Sequence, residues 1–284
     1  MTMLEKLPIL KDDGLITPEV GLWAEYKYRL VWNYAKMFAT SMKAKWDARA
    51  YIDLYAGAGR SRLENTKTLV PASPLLAMNI FNRFDKYIFC ENDKEKMQAL
   101  KTRVERDYPD SNVSFIETDV NKKIDEVMSH IPKHRKWIKV LAFCFVDPFN
   151  VKNLNFQTIR KLTEKYIDFL ILIPSGMDAN RNISYYIAES NTAVADFTGA
   201  SQWRDDWRSE ETKWENFGFF FADFFGRQMR ALNYFYEGLA DMVHVRSTEK
   251  NLPLYHLAFF SRNELGMKFW KEARKYSDDQ LDLL

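Results

Sequence analysis

The sequence predicts an α/β fold: a doubly wound, mostly parallel seven-stranded sheet, with an N-terminal helix and an insertion after the fifth strand. Three observations predict it. Between about residues 48 and 175, short apolar runs alternate with helical patterns, as strand–helix–strand units do. Two of those runs, "IKVLAFCFVDPF" and "IDFLILIPS", are apolar at nearly every position, as strands covered on both faces are. Two more strand-like runs, "DMVHVRS" and "LPLYHLAFFSRN", follow each other closely enough to form a hairpin.

Taken in order, "LWAEYKYRLVWNYAKMFATSMKAKW" reads as an amphipathic helix, with Trp23, Tyr26, Leu30, Tyr34, Met37 and Phe38 at three- and four-residue steps. "AYIDLY" is the first strand. "ASPLLAMNIFNRF" begins a helix, with Ser73 expected as its N-cap and Pro74 in its first turn. "KYIFCE" is the second strand and "NDKEKMQALKTRVERDY" a charged surface helix; "NVSFIET" is the third strand, followed by a weaker helix, "NKKIDEVMSHI". "NFQTIRKLTEKY" is the helix between the fourth and fifth strands. Residues 176–212 are polar without a clear period and are expected to be the insertion. In "WENFGFFFADFFGRQMRAL" the Phe217, Phe220, Phe221, Phe224 and Phe225 stripe reads as core rather than as a cofactor box, and "ELGMKFWKEARKY" is a closing helix. A single domain is expected over residues 1–284, with residues 1–47 as its N-terminal helical segment.

The 284 residues suit one elaborated α/β domain. A net charge of +2 provides no global basic field, so any nucleic-acid contact must be local. The two cysteines, Cys90 and Cys144, sit inside apolar runs and are expected as buried, reduced thiols of a cytoplasmic protein. No metal site is expected from so few thiols. Neither a signal peptide nor a membrane span is expected.

The most informative stretch is "YIDLYAGAGRSR", Tyr51 to Arg62. A dinucleotide fingerprint would need a third glycine where Arg62 stands, and a P-loop motif is absent. Asp53 precedes the first glycine by four residues. An acid there repels phosphates but suits the ammonium of S-adenosylmethionine (SAM). Ala56, Gly57 and Gly59 are expected to let the backbone pass close to that cofactor. Glu91, closing the second strand, is positioned for ribose hydroxyls. Asp119, with Val120 after it, stands at the end of the third strand for the adenine. Each acid alone could be a helix cap, but the three in order at strand ends favour SAM.

At the end of the fourth strand, Asp147, Pro148 and Phe149 follow an acid–proline–aromatic pattern. In methyltransferases acting on exocyclic amines, the acid orients the amine and the aromatic stacks on the base. Against the adenine version, [DN]-P-P-[YF], Phe149 stands for the second proline and Asn150 for the aromatic. The triplet is closer to that of tRNA guanine-N2 dimethyltransferases. The structural alternative is that Asp147 caps a turn and Pro148 ends the strand.

"YIDLYAGAGRSR", "SPLLAMNIF", "YIFCENDKEK", "LAFCFVDPF", "DFLILIPSGMDANRN" and "HLAFFSRNELGMKFWKEA" resemble, in order, the three-Cys-motif partner proteins (TcmP). The chain departs from that family at Ala58, commonly proline, and at Ala72, commonly glycine. The resemblance implies a SAM-dependent methyltransferase-like fold. It also implies a partner, a radical-SAM-like protein carrying the three-cysteine motif and an iron–sulfur cluster. In "MDANRN", Arg181 is expected to hold a substrate phosphate or carboxylate. Asn180 and Asn182 are expected to orient that group or to cap the next helix. Lys27 would reach the cofactor carboxylate if the first helix folds over the site, and is otherwise an exposed helix lysine. His130 lies near, and His134 within, the basic stretch "KHRKWIK", read as a solvated loop or as a nucleic-acid contact with Trp137; His244 and His256 lie in strands. The functional reading is SAM-dependent methyl transfer to an exocyclic amine of a nucleobase in RNA or DNA. The alternative is a non-catalytic or auxiliary SAM-binding subunit of the three-cysteine-motif protein.

Overall fold

The computed structural model describes residues 6–21, 23–247 and 251–278. Leu22, expected to open the first helix, lies outside the described residues, as do both ends of the expected domain (1–5 and 279–284). Seven strands form the main sheet: β1 (Ala48–Asp53), β2 (Lys86–Glu91), β3 (Val113–Glu117), β4 (Val140–Val146), β5 (Ile167–Ile173), β6 (Val243–Arg246) and β7 (Pro253–Phe260). Their order across the sheet is β3-β2-β1-β4-β5-β7-β6. The pairings from β3 through β5 are parallel, and β7 runs antiparallel to both β5 and β6. This is the doubly wound, mostly parallel sheet with a terminal hairpin that the sequence predicts. The strand order reverses between β1 and β4, which opens a crevice above the carboxyl ends of those two strands.

The central strands are largely apolar because each of their faces meets a different layer. In β4, Ala142, Cys144 and Val146 face one core, and Phe143 and Phe145 face the other. The helices are α1 (Trp23–Met42), α2 (Ser73–Met78), α3 (Lys94–Asp107), α4 (Val120–His130), α5 (Phe156–Leu162), α6 (Ile183–Tyr186), α7 (Ala193–Thr198), α8 (Trp203–Glu210), α9 (Phe217–Ala231) and α10 (Glu264–Asp278). Tyr34 and Phe38 of α1, Leu100 of α3 and Trp270 of α10 pack on Tyr51, Phe143 and Phe259. Val127 of α4, Ile159 of α5 and the α9 phenylalanine stripe pack on Ile52, Cys144 and Ile171. All five stripe residues are buried, as expected of core. Cys90 and Cys144 are free and buried. No helix among the described residues is long and apolar enough to cross a membrane.

Two expectations change, and one element was not expected. Residues 176–212 are largely helical, comprising a π-helical turn (Ser175–Asn180), α6, α7 and α8; these segments are too short to display a period. Ser73 is the first residue of α2 rather than its N-cap; Ala72 takes the extended cap position and no side chain caps it. A small sheet of Glu19–Val20, Arg60–Leu63 and Leu69–Pro71 lies beside the glycine turn, its polar "RSRL" strand carrying no alternation to reveal it.

Candidate functional site

The crevice is built first from the turn after β1. The Leu54 N–H donates to the Phe145 carbonyl at 3.1 Å and the Ala56 N–H to the Cys90 carbonyl at 2.8 Å, tying the turn to the ends of β4 and β2. Gly57 (φ +60°) and Gly59 (φ +81°) occupy the left-handed region. A Cβ at Gly59 would stand 2.7 Å from Leu100 Cδ1, whereas one at Gly57 would meet nothing within 4 Å. Gly59 therefore seats the turn on α3, and Gly57 borders open space. Glu91 holds the turn from the side, one carboxylate oxygen accepting the Gly57 N–H at 2.9 Å and the other the Asp93 N–H at 2.9 Å.

Asp53 lies wholly buried beneath this turn. It accepts the Tyr55 N–H at 3.2 Å, the Tyr51 hydroxyl at 3.3 Å and a hydrogen bond from Ser73. Burial pushes its carboxyl up to about 7, outweighing these donors, with the Asp147 charge acting in the same direction. The hydroxyl that does not cap α2 is thus spent on this carboxylate.

Across the crevice, Lys27 Nζ of α1 stands 2.5 Å from Asp147 Oδ2. Lys27 is buried, which corrects the reading of it as an exposed helix lysine. Burial alone would lower its pKa; the Asp147 carboxylate, and more distantly Asp53, hold it above the ordinary lysine value. Sequence spacing contains the signal, because Lys27 shares its helix stripe with the buried Leu30, Val31 and Tyr34.

The turn after β4 is fixed from three directions. The Tyr55 hydroxyl and the Asn121 side-chain amide both donate to the Asn153 carbonyl, at 2.6 Å and 2.7 Å. Asp178 accepts the Val151 N–H at 2.7 Å. Asn150 caps the turn by accepting the Lys152 N–H at 2.9 Å, so Asn150, not Asp147, is the capping residue. Pro148 is buried, while Phe149 is 82 % exposed on this rigid rim.

Asp119 is the N-cap of α4, accepting the Asn121 N–H at 3.0 Å, and Val120 is buried behind it. Beside Asp119 opens a cleft of about 580 Å³, lined among others by Asn121, Lys152, Asn155, Tyr185 and Asn191. The "MDANRN" residues form and follow the π-helical turn at the same rim. Asp178 is its organising group, taking hydrogen bonds from Asn182 at 2.7 Å and from the Tyr186 hydroxyl at 2.9 Å. Asn182 thereby braces Asp178 instead of capping α6. Asn180 is half-buried, and Arg181 is exposed without an ion pair to a described residue.

A further buttress was not legible in the sequence. Arg103 of α3, fully buried, donates to the Ala58 carbonyl at 2.7 Å and to Asp13 at 2.7 Å and 2.9 Å. Asp13 also meets Arg60 at 3.0 Å, and the Arg103 hydrogen bond above all holds its carboxyl well below the ordinary range. The segment before α1 is thereby clamped to the back of the glycine turn. No group of three or more potential metal ligands occurs among the described residues.

No protein-family model matches the chain, and no curated protein matches it. Among solved structures it is similar to a Legionella pneumophila protein of family DUF519 (12 % identity, 85 % of this chain and 89 % of that one, TM-score 0.48). It is also similar to Trm1 from Pyrococcus horikoshii in complex with S-adenosyl-L-methionine (8 % identity, 94 % and 63 %, TM-score 0.43). A third similar structure is the METTL16 MTase domain (11 % identity, 84 % and 69 %, TM-score 0.41). None of these likenesses assigns chemistry to this chain.

Proposed function

We propose that this chain is a SAM-dependent methyltransferase acting on an exocyclic amine of a nucleobase in RNA or DNA. The observation that carries the reading is one crevice at the carboxyl ends of β1, β2 and β4. There the glycine turn is pinned by Glu91, the Asp147 charge reaches Asp53 and Tyr55 of that turn, and Phe149 is exposed on the rim. The donor set fits the cofactor's mixed charge: Glu91, Asp119 and Asp147 offer acceptors for its cationic and hydroxyl groups, Lys27 offers a cation for its carboxylate, and the buried Asp53 braces the turn from below.

When bound, SAM supplies a methyl group already activated on a sulfonium. The residues of this chain bind and orient. Each Glu91 oxygen keeps a lone pair for a ribose hydroxyl after its backbone bond. To an adenine amine Asp119 offers the oxygen that does not cap Asn121 and that meets the exposed Lys122 ammonium at 3.7 Å. Gly57, with Ala56 before it, gives close backbone approach while Gly59 seats the turn on α3, and Val120 is an apolar wall. The Asp147 oxygen that Lys27 leaves free accepts an N–H from the acceptor amine and aims its lone pair. Phe149 stacks on the base, and Arg181 with Asn180 holds a flanking phosphate. Most of the acceleration then comes from holding donor and amine in line.

One observation favours a second reading, an auxiliary SAM-binding subunit of a three-cysteine-motif protein: Lys27 already occupies an oxygen of Asp147. Calorimetric titration with SAM, followed by transfer of labelled methyl to RNA and DNA, tests both. Methyl transfer that Asp147→Ala abolishes while SAM still binds, together with loss of SAM binding in Glu91→Ala, supports the enzyme. Binding without Asp147-dependent transfer favours the auxiliary role. No SAM binding by the unaltered protein overturns both.

A further inference from the structure

At the opposite edge of the sheet, where β1 and β4 begin, a second cleft of about 480 Å³ opens between the end of α1 and the residues before β4. Lys43, Lys45, Lys136 and Lys139 line it together with Trp46 and Trp137. Arg135 and Lys133 follow on the same exposed stretch. None of these cations forms an ion pair with a described residue. The single acid in the lining, Asp47, is engaged by the Lys139 backbone N–H at 2.7 Å. In a chain whose net charge is only +2, such a concentration is a local field.

The aromatic groups are presented with equal definition. Arg135 and Ile138 exchange backbone hydrogen bonds at 2.9 Å and 3.0 Å, closing a two-residue hairpin whose tip is Lys136 and Trp137. Trp137 is 81 % exposed there, with the Lys136 ammonium 4.8 Å from its ring centre. Behind the tip, His134 lies 4.6 Å from Tyr166 and 6.3 Å from Trp46, ring centre to ring centre, and His134 Nδ1 accepts the Val140 N–H. The base of the hairpin is therefore anchored. An exposed indole on an anchored tip thus shares its cleft with lysines, of which Lys43 donates to Asn82 at 3.2 Å and none is ion-paired to a described residue. The cleft has two halves: a stacking face for a base and cations for phosphates.

We propose that this cleft docks a single-stranded nucleic acid, Trp137 stacking on a base and Lys43, Lys45, Lys136 and Lys139 meeting the backbone. Charge complementarity alone would also suit an acidic polypeptide; the displayed indole favours the nucleic acid. The assignment goes beyond the methyl-transfer reading. If that reading holds, this is where the flank of the acceptor strand rests, about 20 Å of strand length from Asp147.

The test is fluorescence anisotropy with a fluorescein-labelled oligo(U) and the matching oligo(dT), without SAM, so that it succeeds or fails separately from methyl transfer. Trp137→Ala and Lys136→Ala change exposed side chains and are checked for unaltered unfolding midpoints. The expected result is salt-dependent binding that Trp137→Ala weakens about fivefold to a hundredfold, and whose salt slope Lys136→Ala reduces by about one. Absence of oligonucleotide binding overturns the proposal. So does binding indifferent to Trp137→Ala, or poly-glutamate competing as well as unlabelled oligo(U).

Discussion

Lys27 and Asp147 lie 120 residues apart in the chain, and their charged atoms lie 2.5 Å apart in the fold. The contact places α1 over the crevice at the carboxyl ends of the strands, so the first helix is part of the site. It also puts a cation against the acid that ends β4, with Asp53 close enough to add to the field on Lys27. The consequences can be measured.

Lys27→Met removes the cation from a pair whose side chains are 11 % and 19 % exposed. An unpaired, largely buried carboxylate remains, and stability is expected to fall by about 2–4 kcal/mol. Adding Asp147→Asn should recover part of that loss. Urea unfolding of the two single variants and the double variant measures it; strict additivity would show that the pair carries no coupling.

The pH dependence of stability carries the mark of Asp53. Its folded pKa of about 7 stands above the ordinary 3.8 because the carboxyl is buried. Between about pH 4 and 7 the folded protein keeps a proton that the unfolded chain releases. This contribution is therefore complete below about pH 4 and is lost as pH rises through 7. Asp168, raised by burial to about 6, adds the same sign over a narrower window. Asp53→Asn is expected to remove up to about one proton from the slope of unfolding free energy against pH. An unchanged slope in that variant would contradict a carboxyl at Asp53 raised by burial.

The two glycines of the turn should separate stability from cofactor binding. Gly59→Ala combines a left-handed φ with a Cβ 2.7 Å from Leu100, and is expected to cost about 2–4 kcal/mol. Gly57→Ala pays only the backbone term, about 1–2 kcal/mol, but sets a methyl in the open cradle. Thermal melts and SAM titrations together should show Gly59→Ala as the less stable variant. Gly57→Ala should lose affinity out of proportion to its stability.

Arg103→Ala is expected to destabilise by about 3–5 kcal/mol, because the buried guanidinium binds both Asp13 and the Ala58 carbonyl. Arg103→Lys should rescue little, since one ammonium cannot reproduce the fork. Hydrogen exchange should show residues 11–17 and the glycine turn losing protection together. Protection lost at 11–17 alone would mean that the clamp does not support the turn.

Much of the fold was legible because it is locally encoded. The doubly covered strands β4 and β5 had to be apolar at nearly every position, Asp168 being the exception, and the α9 phenylalanine stripe follows the helical period. The acids at strand ends were legible for the same reason: a strand's last residue is marked by where its apolar run stops. The helices of 176–212 escaped because four to eight residues do not complete a readable period, and Ser73 was misread because its hydroxyl had a better partner in Asp53 than in its own helix.

What local patterning settles in this chain is the sheet, the identity of the side chains at its carboxyl edge and the composition of its two cores. Side-chain direction and burial repeat along a strand or helix and leave a periodic trace in the residues themselves. Which acid is paired with a cation, which is raised by burial and which caps a helix followed only from assembly. Lys27 finds Asp147, Arg103 finds Asp13 and Asp178 finds Val151 through distances in space. An ion pair or hydrogen bond falls off over a few ångströms, and no local repeat records which distant residues come that close.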